Sequence, residues 1–147
     1  MSRGPMWNLT KSLVALAALA LPVADEPETV DFASLSDFKY VEGMELPAHV
    51  TKLHEKKVRI SGFMAREVQG EGPVEYFLLI NDACGCEGVP FLNEVLFCAM
   101  PEGEKTEILP GSVALVGTLF VGEIVEEDCV VALYCLDVDK IETGSGR

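Results

Sequence analysis

Lys57-Val58-Arg59-Ile60-Ser61-Gly62-Phe63-Met64 decides the fold. Val58, Ile60, Gly62 and Met64 alternate with Arg59, Ser61 and Phe63. Side chains of a strand point to opposite faces in turn, so this period of two predicts a strand with one face in a core. A glycine inside such a run marks a bend, a bulge or a close backbone approach. Further strands are expected at 74–80, 94–100, 112–121 and 129–141, separated by turn clusters such as Gln69-Gly70-Glu71-Gly72-Pro73 and Pro110-Gly111. The fourth run again holds an internal glycine, Gly117. Residues 123–128 are read as an acidic connection. Short strands, mid-strand glycines and the lack of a long amphipathic pattern after residue 24 define an all-β chain. They predict a small five-stranded, OB-like, partly open barrel, with a β-sandwich as the second choice.

Upstream, Phe32, Leu35, Phe38 and Val41 recur at roughly helical spacing, and Asp31 or Ser34 is placed to cap a short helix. A short N-terminal helix or packed arm is expected there. His49 and His54 fall in a polar connector, 48–57.

The chain of 147 residues has the length of one domain, and its hydrophobic share of 49% is ample for a core. Residues 1–24 have the layout of a secretory signal peptide. Arg3 and Lys11 precede the apolar run 13–21, which is shorter than the roughly 20 residues a membrane span needs. Cleavage is expected after Ala20 or Ala24. A flexible leader then covers 25–30, one barrel domain 31–141, and a flexible tail 142–147. A periplasmic or secreted location follows, with no integral membrane segment after cleavage. Removing residues 1–24 takes away two bases and leaves nine against 24 acids, a charge of −15. Such a surface repels phosphate backbones, so nucleic acid is not an expected partner.

The densest chemistry lies at Asn81-Asp82-Ala83-Cys84-Gly85-Cys86-Glu87-Gly88-Val89-Pro90-Phe91-Leu92-Asn93-Glu94, between two apolar runs. Three readings of Cys84 and Cys86 compete. As a dithiol they would close a small strained ring, which is easily reduced. As metal ligands they would supply two thiolates to a thiophilic divalent ion, completed by Cys98, His49, His54, Asp82 or Glu87. As structural cysteines they would pair with Cys98 or remain packed thiols. Five cysteines are an odd number, so an oxidising compartment leaves at least one without an internal partner. Cys98, Cys129 and Cys135 sit in apolar runs, where cysteine behaves as a small hydrophobe. Phe77, Phe91, Phe97 and Phe120 read as core and rim, because no bases interleave with them. Neither a nucleophile triad order, a zinc-protease helix, a phosphate loop nor a calcium loop is present.

In order and spacing, Lys57-Val-Arg-Ile-Ser-Gly-Phe-Met64, Glu75-Tyr-Phe-Leu-Leu-Ile80, the cysteine turn running into Pro90-x-x-Asn93-Glu94, Gly117-Thr-Leu-x-Val-Gly-Glu123 and Leu133-Tyr134 resemble the bacterial family known as domain of unknown function 3299. The resemblance spans about 31–141. It implies a small exported β-rich domain with a cysteine-containing loop, and it implies no reaction. The function expected from these features is a non-enzymatic binding or accessory module of the cell envelope, engaging a protein or small ligand there. Metal handling and thiol redox chemistry at Cys84 and Cys86 are the alternatives.

Overall fold

The computed structural model describes residues 26–81 and 90–144. Six strands form one mixed sheet: β1 (Glu28–Val30), β2 (Lys56–Ala65), β3 (Tyr76–Ile80), β4 (Val95–Ala99), β5 (Ser112–Glu126) and β6 (Cys129–Thr143). Two one-turn helices, α1 (Phe32–Leu35) and α2 (Ala48–Thr51), precede β2, and a 3-10 turn, Leu92–Glu94, precedes β4. Among the described residues no helix is long and apolar enough to cross a membrane.

The sheet curls back on itself. Its order is β1-β2-β3-β4-β6-β5, and β5 returns to pair with β2. Every pairing in the ring is antiparallel except β4 with β6. The β2–β5 seam is long, from Lys56↔Leu119 to Phe63↔Ser112, whereas β2 meets β3 only at Phe63↔Ile80, Met64↔Leu79 and Ala65↔Leu78. The result is the expected OB-like fold in its partly open form, all-β with a mixed sheet.

The period-two pattern in β2 holds residue by residue, with Val58, Ile60, Gly62 and Met64 inward and Arg59, Ser61 and Phe63 outward or at the rim. Phe77 and Leu79 of β3, Leu96 and Cys98 of β4, Leu115 and Leu119 of β5, and Leu136 of β6 complete the core. The two mid-strand glycines each make a close approach. A Cβ on Gly62 would lie 2.7 Å from the Ile80 carbonyl oxygen, where β2 crosses from β5 to β3. A Cβ on Gly117 would collide with the Asp137 carbonyl, and the β5–β6 register slips between Val116 and Gly117. That slip is the bulge expected of a curling strand.

Five expectations need correction. The leader 25–30 holds a strand: β1 runs parallel to β2 through Val30↔Ile60 and brings the count to six. The acidic connection 123–128 is mostly strand, since β5 continues to Glu126 and only Glu127 and Asp128 form the turn, at φ 50° and 65°. The tail begins later than expected, as β6 includes Glu142 and Thr143. In the connector 48–57, residues 48–51 form α2. The boundary of the second strand also moves, to Tyr76, with Val74 making an isolated bridge to Thr106.

The helix and the arm expected at 31–41 are both present. Asp31 caps α1 by accepting from the Ala33 N–H at 3.1 Å. Beyond Ser36 the chain runs as an irregular arm. Phe32 and Leu35 are buried, and the Tyr134 hydroxyl donates to the Leu35 carbonyl at 2.7 Å inside the core.

Candidate binding site

The dense loop leaves β3 at Asn81 and returns at Pro90. Cys84 and Cys86, with Asp82 and Glu87, lie outside the described residues. The returning segment is built in detail. The Glu94 N–H donates to the Phe91 carbonyl at 2.8 Å, and the Phe91 N–H donates to Glu94 Oε2 at 2.8 Å. This reciprocal pair holds a tight turn and leaves the Phe91 ring 74% exposed. Asn93, between them, is buried, and its side-chain amide donates to the Phe38 carbonyl at 2.7 Å. One buried amide therefore ties the loop to the N-terminal arm, as burial of a polar group requires a partner.

Between the arm and the loop return lies a groove of about 440 Å³, walled by Asp37, Phe38 and Tyr40 on one side and Phe91, Asn93 and Glu94 on the other, with Lys39 at its margin. Its size falls within the range of small-ligand clefts. The arm wall is pinned by Glu123 of β5, whose Oε1 accepts from the Tyr40 hydroxyl and the Gly43 N–H, both at 2.7 Å. Burial first, then the hydrogen bond and the nearby charge of Glu123, push the Tyr40 hydroxyl up to about 12. The Tyr40 hydrogen bond, followed by the Gly43 N–H, holds the Glu123 carboxyl below its ordinary value.

The other sequence-derived site residues do not gather around one point. Cys98 faces the core and is 2% exposed; burial, followed by the neighbouring Cys135, pushes its thiol well above the usual range. His49, on the exposed face of α2, places Nε2 3.0 Å from Asp37 Oδ1 and 3.1 Å from the Ser34 carbonyl, so that nitrogen carries the hydrogen. His54 accepts the Val121 N–H at Nδ1 over 3.0 Å and meets Phe120 edge-on at 6.0 Å between centroids. Among the described residues no three His, Cys, Asp or Glu side chains are disposed to hold a metal. Cys98, Cys129 and Cys135 are free thiols. Of the phenylalanines, Phe77 is core, whereas Phe91 stands out from the surface.

Sequence reading placed Asn93 and Glu94 in the dense loop but assigned them no role. The signal was a polar pair at the mouth of an apolar strand. Tyr40 and Glu123, 83 positions apart, carried no joint signal.

Fold and site together define an all-β, OB-like, partly open sheet with a small groove between its N-terminal arm and the segment that returns to β4. The chain belongs to the family described as protein of unknown function (DUF3299), whose model matches residues 20–143. The crystal structure of a DUF3299 family protein from Pseudomonas aeruginosa PAO1 is similar, with a TM-score of 0.55 and 19% identity over 80% of this chain and 95% of that one. At that identity the likeness speaks for the fold. A chain of the S. pombe Stn1-ten1 complex aligns at a TM-score of 0.39 and 12% identity, covering 84% of this chain and 82% of that one, which carries no argument. No curated protein matches the chain.

Proposed function

We propose that this protein is an exported, non-enzymatic binding module of the cell envelope and that its working surface is the 84–94 loop with the groove beside it. The observation that carries the reading is Phe91. It is 74% exposed, lines the groove with Phe38 and Tyr40, and a reciprocal hydrogen-bond pair fixes the backbone that presents it. Aromatic anchors beside satisfied polar groups are the usual makings of a binding hot spot. The leader-like residues 1–24 and the charge of −13 support export and a soluble surface.

The test places a photo-crosslinking phenylalanine analogue at position 91 in exporting cells, with position 125 on the β5–β6 hairpin, which does not line the groove, as the control. One discrete envelope adduct from position 91, absent from position 125 and lost on adding Asn93→Ala, is the expected result. Identical adduct patterns from the two positions would sink the assignment of this groove.

A further inference from the structure

A second cleft lies on the outer face of β3, β4 and β6, and it stands independently of the loop groove. Cross-strand register sets Tyr76, Ala99 and Asp137 in one row and Leu78, Phe97 and Cys135 in the next. These positions alternate with core-facing Phe77, Cys98 and Leu136, so they turn outward. All of them but Leu78, together with Glu67, border a cleft of about 270 Å³. A neighbouring cleft of about 370 Å³ shares Glu67 and Tyr76 and adds Val68, Val74, Glu75 and Lys105. Tyr76, on the shared wall, is 61% exposed.

The charges in this place are unbalanced. Among the described residues none of Glu67, Glu75 and Asp137 has an ion-pair partner. Lys57 lies on the same cross-strand row as Asp137, through Thr118, yet Asp139 holds it at 2.7 Å. Burial, followed by the Asp137 charge, raises the Cys135 thiol above its ordinary value, so Cys135 is a neutral, apolar wall. In the smaller cleft two uncompensated carboxylates, a presented aromatic ring and an apolar floor match a cation on a hydrocarbon stem. The smaller cleft lies below the usual ligand-pocket range and suits one side chain, while its continuation gives room for the chain that bears it. Lys105 lines only the larger cleft, where it would favour a carbonyl of that segment.

We propose that the paired clefts bind a polypeptide segment through a single lysine or arginine, its stem against Phe97 and Cys135 and its head on Glu67, Asp137 and the Tyr76 ring. The acidic surplus of the whole chain steers such a segment inward.

The experiment is a titration of the ¹⁵N-labelled protein with a capped Gly-Ala-Lys-Ala-Gly peptide, the same peptide with norleucine for lysine, and n-butylammonium. The lysine peptide is expected to shift the Tyr76, Phe97, Ala99 and Asp137 amides, and the norleucine peptide to bind about tenfold more weakly or worse, the worth of one charge-assisted contact. Glu67→Gln with Asp137→Asn should cost about as much, with the spectrum itself reporting an intact fold. Equal binding of lysine and norleucine, no shift at those amides, or binding unchanged in the double variant would each overturn the proposal. Butylammonium binding as tightly as the lysine peptide would overturn its polypeptide part, leaving a site for free amines.

Discussion

Tyr40 donates its hydroxyl hydrogen to Glu123 at 2.7 Å, fastening the arm to a strand 83 residues further along the chain. The Gly43 N–H shares the same carboxylate oxygen. Glu123 titrates below its ordinary 4.5 in the folded protein, so its contribution is present above that value and is lost as pH falls through the lower folded value. Tyr40 is raised from 10.0 to about 12, so its contribution is present below 10 and is lost as pH rises toward 12. The Gly43 amide chemical shift should therefore stay level between these limits and move in acid with a midpoint below 4.5. A midpoint at or above that value would mean the latch is absent in solution. Glu123→Ala should abolish the acid transition.

Gly117→Ala places a methyl group against the Asp137 backbone at the β5–β6 bulge. Backbone cannot swing aside as a flexible side chain can. We expect a loss of about 3 kcal/mol in urea unfolding, at the upper end of overpacking costs. A loss under about 1 kcal/mol, the scale of a mild overpacking effect, would show that the bulge relaxes freely.

The Glu127-Asp128 turn holds two non-glycine residues at positive φ. Asn-Gly is the pair that such a two-residue hairpin prefers, because it adopts this backbone with little strain. Glu127→Asn with Asp128→Gly should raise stability by about 1 kcal/mol, read as a higher urea midpoint at unchanged slope. A lower midpoint would count against the assigned turn geometry.

Thiol accessibility should follow burial. Cys129 is exposed at the hairpin end, Cys135 is half-buried, and Cys98 is enclosed with its thiol pushed far upward. Reaction with iodoacetamide needs the thiolate. Peptide mass mapping should therefore find Cys129 labelled first, Cys135 slowly, and Cys98 only after unfolding. Labelling of Cys98 at the rate of Cys129 would contradict the placement of β4.

The tyrosine buried beside α1 offers a further check. Tyr134→Phe leaves the Leu35 carbonyl without its donor at 0% exposure around the ring. The expected cost is about 1–3 kcal/mol, measured by urea unfolding. No loss would place water or another donor at that carbonyl.

Much of the barrel was readable from residue order, because one-sided burial writes an alternating pattern. In β2 and in β5 up to Val121, inward positions must be apolar and outward positions need not be, so Lys57 through Met64 announced their strand. The cap at Asp31 and the bends at Gly62 and Gly117 are likewise local demands on particular residues. No such pattern exists where neither face is buried. Residues 123–126 are exposed on both faces and are a strand because β6 pairs with them. Glu28 and Thr29 are polar and exposed and are a strand because the edge of β2 accepts them.

The sites divide in the same way. A crowded loop of cysteines, glycines and carboxylates is visible in one dimension, since its chemistry is contiguous. The groove is not, for it exists only where Asn93 meets Phe38 and Glu123 meets Tyr40. Nor is the outer cleft, where parallel pairing of β4 with β6 sets Phe97 beside Cys135 and Ala99 beside Asp137. Residue order carried the strands and the bends through local sterics and one-sided burial. Strand pairing and register, which rest on contacts between distant segments, decided which side chains share a surface.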